Sequence, residues 1–242
     1  FLSPHFDDVA LSCGGLVWDL AQQGHRVEIW TLMGGFPPDA NYSGFAQQNH
    51  LRWGLSGETA IRIRRAEDHA ACQSLGAQLR HFEWPDAIYR RDSGSGEPLV
   101  IDNDTLFGTP PEACLVEEIS GMLQEALTNE VVLVSPAGIG SHIDHLAVTR
   151  ASEKLGKALF YYADYPYILK HPDWPANQDE GFEKRAHTLS EDALQHWQDA
   201  VLAYPSQIGD FWGDMAALRL AYRNYMVGGG GRLWHKDTAS EP

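Results

Sequence analysis

Residues 1–15 read FLSPHFDDVALSCGG. An apolar strand end, FLS, runs into a histidine and two adjacent aspartates. The Gly14-Gly15 pair then opens a helical segment over about 13–23, with Leu16, Val17 and Leu20 on one face. A strand, a short polar turn and a helix form the first unit of an alternating α/β pattern, and the rest of the chain repeats it.

RVEIWTLM (26–33) reads as the second strand. After a loop rich in Gly, Pro and Asn, residues 58–76 read as a helix with Ile61, Ala71 and Leu75 inward and Gly76 at its end. A short strand follows near 78–83. Residues 84–110, rich in Asp, Gly, Ser and Pro, read as an excursion over the surface. The segment 110–129 starts on prolines and carries Leu115, Ile119, Met122 and Ala126 along one stripe, which predicts an amphipathic helix. VVLVS (131–135) is an unbroken apolar run, the mark of a strand covered on both faces. DHLAVTRASEKLG (144–156) and ALFYYAD (158–164) supply the next helix and a fifth strand. An aromatic-rich loop (164–188), helices near 190–203 and 211–224, and the run Gly228 to Gly231 complete the chain. The expected fold is α/β and Rossmann-like in three layers: a mostly parallel sheet of order 3-2-1-4-5 with helices on both faces. One domain over 1–242 is expected, with loop insertions near 36–57, 84–110 and 164–188.

The 242 residues are 43% apolar, enough for a full core. Eighteen Lys and Arg against 33 Asp and Glu leave a formal charge of -15, which repels phosphate backbones and anionic lipid surfaces and argues against nucleic-acid or peripheral membrane partners. No apolar run approaches the roughly 20 residues of a membrane span. Cys13, Cys72 and Cys114 are scattered and odd in number, so neither a disulfide framework nor a cysteine zinc site is expected, which fits a cytoplasmic protein.

The candidate chemistry lies in two places, each directly after a strand: Ser3 to Asp8, and Ser141-His142-Ile143-Asp144-His145 after VVLVS. With strands one and four as neighbours, the two loops face one another across the crevice at the carboxyl ends of the strands. Two histidines and one carboxylate make a divalent-metal site that leaves positions open for water and substrate, and the same set suits Fe(II). In a tight turn Asp7 and Asp8 point in different directions, so one can bind metal while the other acts as a base. Taken singly, paired Asp in a turn is more often a solvated loop or a helix cap; the weight lies in the two loops together. Gly14-Gly15 lacks the GxGxxG of a dinucleotide loop, and Ser3, Ser12 and Ser141 lack a GxSxG elbow. His25, His50, His69, His81, His171, His187, His196 and His235 read as surface or structural residues. Trp53, Trp84, Tyr89, Phe107, Tyr165, Tyr167 and Trp174 lie in the loops that would rim the crevice, where such rings either stack on sugars or pack the loops.

On these motifs the chain resembles the PIG-L family of de-N-acetylases, also called LmbE-like proteins. Its members carry P-H-P-D-D-E-x-x-x-G-x-G after the first strand and H-P-D-H after the fourth, which stand here as PHFDDVALSCGG (4–15) and HIDH (142–145). Arg64-Arg65-Ala66-Glu67 before Leu75-Gly76 is similar to the family's R-x-x-E helix, and Tyr204-Pro205-Ser206-Gln207 to a later element ending in S-Q. The resemblance implies zinc held by His5, Asp8 and His145, and Asp7 as general base. It implies a protonated His142 at the oxyanion with its ring oriented by Asp144, and Arg64 on the substrate. The implied reaction is hydrolysis of an N-acetyl group from a small amino sugar or N-acetylglucosaminyl glycoside. Alternatives are a metal-dependent amidase on a larger N-acyl or thiol conjugate, and a degenerate sugar- or nucleotide-binding module. Phe6 and Ile143 replace the family's prolines, Val9 replaces its glutamate, and residues 137–140 lack the tyrosine that some members place before the second motif.

Overall fold

In the computed structural model, which describes residues 1–128, 130–176, 181–185, 187–209 and 211–236, the alternating pattern is realised. The order is β1 (Leu2–Ser3), α1 (Asp8–Gln22), β2 (Glu28–Thr31), α2 (Gly44–Trp53), α3 (Gly57–Ser74), β3 (Gln78–His81), α4 (Asn103–Gly108), α5 (Ala113–Ala126), β4 (Leu133–Pro136), α6 (Ile143–Glu153), β5 (Leu159–Tyr162), β6 (Phe182–Lys184), α7 (Glu191–Leu202), α8 (Pro205–Ile208), α9 (Met215–Val227) and β7 (Leu233–Lys236). No helix among the described residues is long and apolar enough to cross a membrane.

β1, β2 and β3 form one parallel sheet, with Leu2 opposite Trp30 and Ile29 opposite Leu79. β4 and β5 pair in parallel, Leu133 opposite Leu159, and β7 and then β6 extend that sheet antiparallel. β1 and β4 lie within 8 Å of each other, Cα to Cα, but no hydrogen-bonded ladder joins them among the described residues. The 3-2-1 and 4-5 pairings of the expected order are therefore present in two sheets that meet at a seam.

The differences from the sequence reading have local causes. Helix α1 starts at Asp8, not near residue 13, with non-helical dihedrals at Cys13 (φ -151°, ψ 26°). Every residue from Asp8 to Val17 is buried, and a segment covered on all sides shows no periodicity. The loop 36–57 contains α2, which buries only Ala46 and His50 and so carries little apolar pattern; Ser43 caps its start and Gly54, at φ 63°, its end. VVLVS enters the sheet only at Leu133, Val131 and Val132 being 49% and 66% exposed. β6 and β7 have no counterpart in the sequence reading: short, half-exposed and partly charged, they lack the alternation of a strand with one buried face.

Helix α1 packs on α7, and the Gly14-Gly15 pair makes the close approach possible. A Cβ on Gly14 would stand 2.7 Å from Trp197 Cδ1, and one on Gly15 3.0 Å from Trp197 Cε3. Trp197 is fully buried, and its Nε1 donates to Ala10 O at 2.6 Å. The start of α1 is thereby fastened from behind.

Candidate metal centre

The first loop is held by its own short bonds. Ser3 Oγ donates to His5 O (2.6 Å), Val9 N donates to Ser3 Oγ (3.3 Å), and His5 N donates to Asp8 Oδ2 (2.7 Å). Asp7 occupies the N-cap position of α1 but its side chain caps nothing; its carboxylate pairs instead with Arg64, Nη2 to Oδ1 at 3.3 Å. The second loop leaves β4 through Gly138 and Gly140 at positive φ and then Ser141 at φ 62°, a sparsely populated conformation for a residue with a side chain. His142 is the N-cap of α6 and His145 lies in its first turn.

The two loops meet. His5 Nδ1 lies 3.2 Å from Asp8 Oδ2, and His145 Nε2 lies 3.3 Å from Asp8 Oδ1. The His142 ring is 4.8 Å from that of His5 and 5.0 Å from that of His145, centroid to centroid. One ring nitrogen from each of the three histidines falls within 4.8 Å of the others. The opposite nitrogens of His5 and His145 each rest on a buried carboxylate, His5 Nε2 on Asp144 Oδ2 at 3.0 Å and His145 Nδ1 on Asp164 Oδ1 at 2.6 Å. A carboxylate behind an imidazole is the usual support of a metal-bound histidine, fixing both ring orientation and tautomer. His145 Nε2 is buried and makes no hydrogen bond, because its approach to Asp8 is too poorly aligned to count as one. A buried ring nitrogen with no hydrogen-bond partner, facing a carboxylate and a second imidazole, belongs to a donor set that fits a divalent cation.

A second group, His5, Asp86 and Asp144, also converges. Asp144 is already committed there: Oδ2 accepts from Ala87 N (3.0 Å) as well as facing His5, and Oδ1 pairs with Arg90 Nη1 at 2.6 Å. In that group the Asp144 oxygens already face Arg90, Ala87 and His5, so its first role is to support the His5 ring.

Charge follows the geometry. Burial alone would raise the Asp8 carboxyl, but the His145 and His5 rings outweigh it and hold it well below the usual range. Asp7 moves the other way: burial and the neighbouring Asp8 charge raise it, against Arg64. Burial opposes a charged His145, yet Asp8 and Asp164 push its pKa up to about 9 in the metal-free protein.

Two expectations need correction. Asp144 does not orient His142; its carboxylate faces His5, Ala87 and Arg90. His142 is not set up as an imidazolium, because its Nδ1 accepts from the backbone N–H of Asp144 at 3.2 Å, which leaves the proton on Nε2. Burial, then the His5 and His145 charges, lower its pKa well below the ordinary value. Arg64 is buried on Asp7, between the rings of Phe6 (5.1 Å) and Trp53 (5.3 Å), with its Nε unpartnered.

Asp164, Asp86 and Arg90 do not stand out in the sequence. Asp164 is within reach of the same reasoning, since it closes ALFYYAD just past β5; Arg90 sits in the 84–110 excursion with no local signal. Phe6 and Val9 also gain an explanation. Phe6 lies under Arg64 with its ring edge-on to His81, and Val9 is buried core. Glu67 accepts from Ser206 N (2.9 Å) and Ser206 Oγ (2.5 Å), while the Tyr204 hydroxyl donates to Phe6 O (2.8 Å) and lies 2.9 Å from Asp68. The helix motif and the later element thus brace the first loop together.

The sequence profile described as "PIG-L: GlcNAc-PI de-N-acetylase" matches residues 1–155, more than half of the chain. The chain belongs to the PIG-L family. Among PIG-L relatives, a 2'-N-acetylparomamine deacetylase of Niallia circulans is 29% identical over 238 residues, covering 91% of this chain and 84% of that protein. The structure of a deacetylase in the biosynthesis pathway of teicoplanin superposes with a TM-score of 0.80 at 25% identity, covering 99% of this chain and 98% of that one. A zinc-inhibited form of teicoplanin deacetylase superposes at 0.78 and 26% identity, with the same coverage.

Proposed function

We propose that this protein is a zinc-dependent N-deacetylase that hydrolyses the N-acetyl group of an amino-sugar glycoside, releasing acetate and a free amine. The observation that carries the reading is the convergence of His5, Asp8 and His145, both rings backed by carboxylates, beside an Asp7 that caps nothing. His5 Nδ1, Asp8 and His145 Nε2 are the groups that would hold the ion. When bound, a zinc ion polarises the amide carbonyl and lowers the pKa of a coordinated water from 15.7 toward about 7.

The chain's own residues do the rest. Asp7 takes the proton of the attacking water and returns it to the nitrogen, which cannot leave as an amide anion. Its carboxyl is raised by burial, so it holds a proton better than an exposed aspartate, and Arg64 fixes its orientation. His142 donates Nε2–H to the carbonyl oxygen as charge builds there, and one such donor is worth on the order of a hundredfold or more in rate. Trp53 and Phe107 border this chemistry, against Arg64 and His142 respectively, and are the rings we place against the sugar.

The substrate assignment is supported by relatives named for removing acetyl groups from 2'-N-acetylparomamine and for acting in teicoplanin biosynthesis, and by the family's GlcNAc-linked description. The deciding experiment is metal analysis, followed by amine release across a panel of N-acylated sugars with and without chelator. Acetyl-selective, chelator-sensitive release is expected. Release only from longer acyl chains, or ligand binding without release, refutes the proposal.

A further inference from the structure

The excursion between β3 and α5 carries a guanidinium into the metal centre from behind. Arg90 is partly buried there, its side chain 9% exposed, and reaches in two directions. Nη1 pairs with Asp144 Oδ1 at 2.6 Å and donates to Pro85 O at 3.0 Å. On the far side Nε and Nη2 grip Glu112 as a fork, at 2.8 and 3.1 Å. Asp144 is wholly buried, and its other oxygen takes Ala87 N and His5 Nε2 at 3.0 Å each. Glu112, Arg90, Asp144 and His5 therefore lie in one line from the N-cap residue of α5 to the proposed metal ligand, hydrogen-bonded at its two ends and joined in the middle by the Arg90–Asp144 ion pair, in which Asp144 Oδ1 accepts no aligned hydrogen bond.

We propose that Arg90 is a positioning residue for the metal, acting through Asp144 on the His5 ring. The proposal rests on the reading of His5, Asp8 and His145 as the metal site. Its physical basis is the bidentate fork, which leaves the guanidinium one orientation, together with the cost of an uncompensated buried anion. Without Arg90, the Asp144 carboxylate keeps only a backbone N–H and the His5 ring as partners. It must turn toward water or another cation, and the ring it holds turns with it.

The test is Co(II) binding to the full chain by chelator competition, together with the visible spectrum of bound Co(II), which reports ligand geometry independently of activity. Arg90→Met is expected to weaken binding by about 10- to 100-fold and to alter the spectrum, the range typical for groups that support a metal-bound histidine. Arg90→Lys keeps a charge beside Asp144 but loses the fork, and should recover part of the loss. Glu112→Gln keeps the shape of the fork and should weaken binding severalfold in the same direction. Thermal unfolding of the metal-free proteins checks that each variant folds; if Arg90→Met does not, Glu112→Gln decides alone. Wild-type affinity within twofold and an unchanged spectrum in the folded variants overturn the proposal. A wild-type protein that binds no Co(II) overturns the metal site itself, and the role of Arg90 with it.

Discussion

Replacing Gly14 with alanine probes the fastening behind the first loop of the candidate site. The new methyl would stand 2.7 Å from Trp197 Cδ1 and 3.2 Å from Nε1, inside van der Waals contact with a ring that is itself fully buried. Trp197 must shift, and the 2.6 Å bond from its Nε1 to Ala10 O stretches or breaks. Overpacking costs about 1–3 kcal/mol and the strained hydrogen bond about 1 kcal/mol more, so a loss of about 2–4 kcal/mol is expected. For a domain of this size that lowers Tm by roughly 5–15 °C. Gly121 is the control: it lies in α5 with nothing within 4 Å of an added methyl group, so Gly121→Ala should stabilise by about 0.5–1 kcal/mol. The assay is thermal unfolding of metal-free protein followed by tryptophan fluorescence. A Gly14→Ala protein whose Tm lies within about 1 °C of wild type, or no lower than that of Gly121→Ala, would refute the packing argument.

Other expectations follow from the site. Asp7→Asn should retain its metal and lose about 10²- to 10⁴-fold in kcat, as the loss of a general base does; full turnover with full metal removes Asp7 from that role. Asp164→Asn should weaken metal binding by about 10- to 100-fold by releasing Nδ1 of His145, and unchanged binding contradicts that support. In the metal-free protein His145 has its pKa raised to about 9, so it carries a proton below that value and the ion must expel it. Affinity should therefore fall as pH drops from about 9 to 7, with proton uptake by buffer visible in calorimetry at pH 7. Heats that do not vary with the buffer's ionisation enthalpy contradict this.

What can be read from the sequence tracks how each residue earns its place. That His5, Asp7, Asp8, His142 and His145 come together in one candidate site is legible because both motifs sit at strand ends, where a parallel sheet concentrates its loops, and because both are short and local. Asp144 is legible too, but with the wrong partner: spacing within HIDH suggests its neighbour His142, while its actual partners, His5 and Arg90, come from distant segments. Arg90 and Glu112 are invisible, since their meaning arises only when the excursion folds back over the first loop. Among the elements, those with one wet face read well. The wholly buried start of α1 and the half-exposed β6 and β7 do not, because periodicity needs two unlike sides.

The seam between β1 and β4 gives the proposed metal ligands a mechanical meaning. His5 and Asp8 belong to one bank and His145 to the other, and across that gap the bonds are made by side chains, such as the Tyr162 hydroxyl on Leu2 O at 3.0 Å, rather than by paired strands. An ion gripped from both banks would serve as a rivet as well as a reagent. Its departure would leave the two sheets freer to slide at the very edge where substrate must lie.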